Sequence, residues 1–153
     1  MASKQLQVVQ RVTDNEKRRQ AERLAARERR VLECEAKLTE LTSYQANYAR
    51  EFAERAGRGI DGARLRAFQT FLARLAEAVR QQLEIVERVR AERDADRDSW
   101  RRAAQRAEMV DHVVKRRVDE ERRALDRQEQ RESDERSLRK HQPRPTKGQH
   151  HGE

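Results

Sequence analysis

The sequence predicts an all-α protein: a long antiparallel two-helix coiled coil, or helical hairpin, with a longer second helix and a disordered C-terminal tail. Three observations lead there. Of 153 residues, 42% are charged, 35% hydrophobic and 4% aromatic, too little apolar volume to fill the core of an ordinary single globule. Five glycines and two prolines leave few residues able to make the turns of a β or α/β fold. The apolar residues that are present recur at alternating spacings of three and four, which is the seam of a coiled coil.

The first helix is expected over about residues 4–56, with its strongest seam through Val31, Cys34, Leu38, Leu41, Gln45, Tyr48 and Phe52. Towards the N-terminus the same register passes through Leu6, Gln10, Thr13, Lys17, Gln20, Leu24 and Arg27, a polar series that would hold a partner loosely. The glycines gather in Gly57-Arg58-Gly59-Ile60-Asp61-Gly62. A bend is therefore expected at 57–62, with Gly57 supplying the left-handed residue that ends the first helix and Asp61 capping the second. The second helix, about 63–139, carries a seam from Leu65 and Phe68 through Leu72, Leu75, Val79, Gln82 and Val86 to Val89. Arg93 and Asp96 then interrupt it, and Trp100, Ala103, Ala107, Val110 and Val114 resume it. With Arg27 opposite, the interruption reads more readily as a wet weak spot than as a polar layer that sets the register.

Facing residues of an antiparallel pair have numbers of constant sum, and the two seams, found separately, meet at such a sum. Phe52 with Phe68 (52 + 68 = 120), Leu41 with Val79, Cys34 with Val86 and Val31 with Val89 all satisfy it. Further out, Gln20 would face Trp100, Lys17 would face Ala103 and Leu6 would face Val114. Past Val114 the second helix has nothing left to face, and it should overhang by about 25 residues, roughly 40 Å. The hairpin domain is thus expected over 1–140. The stretch 141–153 has breakers and no apolar side chain to anchor it, and should be disordered.

The formal net charge of +8, from 36 Lys and Arg against 28 Asp and Glu, favours an acidic partner, nucleic acid or an anionic membrane surface. A basic coiled coil associated with nucleic acid or ribosomes is the alternative reading. Against it stand the interleaved signs, which suit pairs along a helix, and the scarcity of aromatic side chains on which bases could stack. Charge is uneven along the chain: residues 1–30 carry nine Lys and Arg against four Asp and Glu, whereas 31–87 carry eight against nine. The basic excess therefore gathers away from the bend, as expected of an end that docks into an acidic cavity.

No catalytic or nucleotide-binding signature is present, and the reading is of a non-enzyme that needs no cofactor and no metal. His112 falls on a charged helix face, and His141, His150 and His151 fall in the tail, where nothing would preorganise a metal site. Cys34 is a seam residue and reads as buried filler. A single cysteine permits no internal disulfide and suits a reducing compartment. No stretch approaches the roughly 18 apolar residues of a membrane span and the N-terminal residues hold no apolar signal core, so a cytoplasmic, soluble protein is expected.

The apolar residues that the seam does not need are more telling. Tyr44, Phe71, Ala78 and Ile85 each stand immediately before a seam residue, and in an antiparallel pair those positions run along one flank beside Leu41, Tyr48 and Leu75. Such a stripe is either a slightly wider core or a partner-binding patch.

The passage Leu41-Thr-Ser-Tyr-Gln-Ala-Asn-Tyr, the Gly59-Ile60 bend, Phe68-Gln-Thr-Phe-Leu and Gln81-Gln82-Leu83, with the Ser99-Trp100-Arg101 step, resembles the flagellar FliJ family of bacterial type III export. The resemblance runs over nearly the whole chain, with Lys37 and Gln82 standing where the family can show Gln and His. It implies an antiparallel coiled coil similar to the central stalk of rotary ATP synthases. It also implies a cytoplasmic component of the flagellar export apparatus, peripherally associated with the inner membrane at the flagellar base. Such a protein would insert into the hexameric export ATPase FliI and promote ring assembly, contact the export-gate protein FlhA and escort export chaperones. The family's gate-contacting face maps onto Leu41, Tyr44, Tyr48, Phe71, Leu75 and Ala78. The ATPase-binding residues are assigned only by region, to the basic end: Arg11, Lys17, Arg18, Arg116, Arg117 and Arg123.

Overall fold

A computed structural model describes residues 2–142, with side chains from Lys4 onward. Helix α1 spans Ala2–Gly57 and helix α2 spans Gly62–His141. The two pack against each other in antiparallel directions, and no strand occurs among the described residues. Of the tail read from residue 141, His141 closes α2 and Gln142 follows it, while 143–153 lie outside the described residues. The chain divides into a hairpin unit, residues 11–108, and a second unit made of residues 1–10 and 109–153.

In the hairpin unit, the bend follows from a few backbone and side-chain groups. The N–H of Arg58 donates to the Arg55 carbonyl at 3.2 Å and that of Gly59 to the Ala56 carbonyl at 3.4 Å, which closes the last turn of α1. Gly59, at φ 88°, is the residue that reverses the chain. Gly57, expected in that role, instead stays helical as the last residue of α1. The reversal needs a positive φ at one position, and it falls two residues beyond the helix end, where a Cβ would cost most. Asp61 caps α2 as its sequence position suggests, accepting the Ala63 N–H on Oδ1 at 3.0 Å, which satisfies one of the otherwise unpaired donors of the first turn.

The seams meet as their spacing requires. Val31, Cys34, Val86 and Val89 form one buried cluster, with Val86 only 1% exposed and Leu38 and Ile85 packed against it. Burying a valine of this kind contributes about 1.5–3 kcal/mol, and such layers are the main source of stability in a structure without a third element. Phe52 and Phe68 meet near the bend with ring centroids 5.6 Å apart. Gln82, the polar member of the α2 seam, donates from Nε2 to the Cys34 carbonyl at 3.0 Å and so is satisfied across the interface.

The interruption at Arg93 and Asp96 is not the wet weak spot that the sequence favours. Asp96 is 8% exposed, and its Oδ2 accepts from Arg27 Nε at 2.9 Å and lies 3.5 Å from Arg23 Nε. Arg27 also donates from Nη1 to Glu92 at 2.8 Å, while the half-buried Arg93 donates to its neighbour Asp94. Arginine has several donors in a planar fork, so one guanidinium can serve two carboxylates and leave little buried charge unpaired. Beyond this layer the seam continues through small residues, with Ala103 and Ala107 both 2% exposed. Opposite Ala103, Lys17 is exposed and Glu16 is the half-buried residue, a correction to the expected register at that turn. The Glu16 carboxyl is held below its ordinary value of 4.5 chiefly by the hydrogen bond from Gln20, with a further contribution from Arg19 and partial opposition from desolvation. A long, flexible lysine beside an alanine can reach water, so the helix loses little by rotating slightly there.

In the second unit, Leu6 and Gln10 of α1 and Val110, Asp111 and Val114 of α2 are half-buried. Gln10 Nε2 donates to Asp111 Oδ1 at 2.8 Å. From Lys115 to Gln142 every residue is exposed. This stretch is rich in Arg, Glu and Gln, good helix formers, and carries contacts along its own surface, such as Gln128 to Glu132 at 3.4 Å and Arg136 to Glu132 at 3.9 Å.

Candidate functional site

The flank that runs before the seam is where the hairpin unit departs from a closed coiled coil. Tyr44 is 48% exposed and Phe71 43% exposed, in a chain with only two tyrosines, three phenylalanines and one tryptophan. Leu41, Tyr48, Leu75 and Ala78 are half-buried beside them. Tyr48 of α1 and Phe71 of α2 stack edge to face with ring centroids 4.8 Å apart, a geometry favoured by the ring quadrupoles. Together with Ala67 and Phe68 they line an open apolar depression of about 300 Å³. Arg55, bonded to Glu51 at 2.9 Å, lies 5.6 Å over the Phe68 ring and adds a cation–π contact.

The stripe therefore resolves into two parts. Its far end is core, because Ile85 packs on the valine cluster. Its near end is surface, because Tyr44 and Phe71 stay exposed. The six residues Leu41, Tyr44, Tyr48, Phe71, Leu75 and Ala78 thus span half-buried and exposed positions of the same flank. Ala67 and Phe68 complete the depression and were not assigned to the patch from the sequence. The signal for them was the spacing: Ala67 stands four residues before Phe71, one turn away on the same helix face, and Phe68 was assigned to the seam alone.

The basic residues assigned by region fall in different units. Arg11, Lys17 and Arg18 are exposed in the hairpin unit, and Arg116, Arg117 and Arg123 are exposed in the second unit. In the latter, Arg116 and Arg123 share a shallow polar depression with His112, Lys115, Asp119 and Glu120. Cys34 is a free, buried thiol in the valine cluster. Among the described residues no group of three or more His, Cys, Asp and Glu could hold a metal ion, and no helix is long and apolar enough to cross a membrane.

Two long helices, zipped antiparallel and carrying exposed aromatic rings on one flank, define a coiled-coil hairpin protein. The chain matches the family described as flagellar FliJ protein over residues 2–146, and it belongs to that family. It is accordingly a component of the flagellar export apparatus, in a family of non-catalytic members. No curated protein and no solved structure matches the chain.

Proposed function

We propose that this protein is a stalk-like adaptor that binds the hexameric export ATPase FliI, promotes its ring assembly and activity, and links it to the export-gate protein FlhA and to export chaperones. The observation that carries the reading is the exposure of Tyr44 and Phe71 beside Tyr48 on one flank. Aromatic side chains left at the surface of an aromatic-poor chain are the residue type that anchors protein interfaces, since each presents a large rigid area at small entropic cost. The patch of Leu41, Tyr44, Tyr48, Phe71, Leu75 and Ala78 is the proposed gate contact. The exposed basic residues Arg11, Lys17, Arg18, Arg116, Arg117 and Arg123 are the proposed ATPase contact, by long-range attraction to an acidic cavity. The protein would then act in the cytoplasm, held peripherally at the membrane by its partners rather than by a span of its own.

The test is co-purification of the full chain with the export ATPase and with the cytoplasmic part of the gate, with hydrolysis and ring formation measured with and without it. Stimulated hydrolysis, more rings and a gate complex lost on Tyr44→Ala with Phe71→Ala are expected. No complex with either partner would reject the adaptor reading.

A further inference from the structure

We propose that the ionic layer of the hairpin unit selects the folded-back hairpin over pairing with a second copy of the chain, and over hairpins of shifted register. Asp96 is the only buried charged residue among the described ones. It stands at a seam position, bonded across the interface to Arg27 at 2.9 Å and flanked by Arg23 at 3.5 Å, while Arg27 also holds Glu92 at 2.8 Å. All four side chains belong to the same unit. The valine layer on one side of it and the alanine layer on the other are generic: either would accept many apolar partners.

The alternatives fail at this layer. In a parallel, in-register pair of two chains each seam position faces its own counterpart, so an aspartate would be buried against an aspartate at 96 and an arginine against an arginine at 27. Like charges brought together out of water disfavour that assembly. Arg27 and Asp96 meet one step off the directly facing pairs (27 + 96 = 123), so sliding the hairpin by one heptad in one direction moves Asp96 to Cys34 and Arg27 to Ala103 (96 + 34 = 27 + 103 = 130). In the other direction Arg27 moves to the buried Val89 and Asp96 to Gln20 (27 + 89 = 96 + 20 = 116). Only at the observed register does Arg27 reach both Asp96 and Glu92. A polar seam position used in this way specifies partner and register rather than adding stability. The layer matters because the heptads on both arms are otherwise competent to pair with a second chain.

The natural Cys34 reads the register directly. Val86→Cys offers it a disulfide at the observed sum, whereas Val79→Cys and Arg93→Cys offer one at each of the slipped sums (34 + 79 = 113 and 34 + 93 = 127). With the layer intact, the full chain should oxidise within itself only at Val86→Cys and run at the monomer mass of 18.1 kDa by light scattering. Placing Arg27→Leu and Asp96→Leu in the same chain should let the slipped pairs oxidise and produce species of twice that mass, with helical content retained. The swap Arg27→Asp with Asp96→Arg should restore the first pattern. The proposal is overturned if the double leucine variant still oxidises only at position 86 and stays monomeric, if the intact chain is already a dimer, or if the swap fails to restore a single register. None of these readouts involves an ATPase or a gate, so they stand or fall apart from the adaptor reading.

Discussion

The two flanks of the hairpin unit border the same seam and are built on opposite principles. On the flank whose positions follow the seam residues, Glu35 pairs with Arg90 at 3.0 Å and Glu28 with Arg97 at 3.8 Å, so the side chains that reach across are satisfied within the chain. On the flank whose positions precede the seam residues, Tyr44 and Phe71 reach out and remain exposed. Exposed ion pairs contribute about 0.2–1 kcal/mol each and are screened by salt. An aromatic pair contributes about 0.5–1.5 kcal/mol beyond its buried area, and an unburied ring keeps the rest available for a partner. One flank thus closes the hairpin on itself, and the other leaves free energy unspent for an interface.

The sharpest way to break this contrast is Tyr44→Ala together with Phe71→Ala. Gate capture should fall about 10- to 100-fold, as for paired aromatic anchors, while the helical circular dichroism signal stays within a few per cent. A collapse of helicity would instead place both rings in the core and erase the difference between the flanks. Next in size is Val86→Ala, which lies between the flanks. It should lower unfolding free energy by about 2 kcal/mol in urea titrations, with affinity for partners unchanged per folded molecule. A much smaller loss would mean that the valine cluster can close around the cavity.

The ion-paired flank should respond least. Glu35→Gln with Arg90→Gln is expected to change stability by under about 0.5 kcal/mol and to leave partner capture alone; reduced capture would show that this flank binds as well. Smallest of all is a pH effect on the outer face of α2. The Glu77 carboxyl is held below its ordinary value of 4.5, first by the hydrogen bond from Arg80. Because the folded value is the depressed one, the contribution is fully present above about pH 4.5 and is lost as pH falls through the lower, folded value. Helicity of the intact chain should therefore decline slightly in that acid window, and Glu77→Gln should flatten that part of the profile. An identical acid profile in the variant would remove the pair from the account.

Much of this architecture is legible in the sequence because a coiled coil writes its packing into sequence period. Val31, Cys34, Val86 and Val89 were found as seam residues on separate arms, and a constant sum sufficed to bring them together. The patch was legible only as a stripe: spacing placed Tyr44, Phe71, Ala78 and Ile85 on one flank but could not say how far the helices close over it. That depends on side-chain volume, and Ile85 reaches the valine cluster whereas Tyr44 and Phe71 stay exposed. At Arg93 and Asp96, with Arg27 opposite, the sequence favours a wet gap over a layer, because a sequence shows charge without showing which donor reaches which acceptor. The sequence points to Gly57 as the left-handed residue and the structure has it at Gly59, since three nearby glycines are equivalent until the turn geometry chooses among them.

By itself, then, the amino-acid order determined that two long helices fold back on each other, where they turn and which apolar residues form the seam beside the bend, because a helix repeats every 3.6 residues and water drives its apolar stripe against another. Tertiary structure alone decided that Asp96 is sheltered by Arg27 and that Phe71 rests edge-on against Tyr48 while keeping much of its surface in water. Those outcomes turn on distances of a few ångströms between side chains far apart in the chain, which no local period encodes.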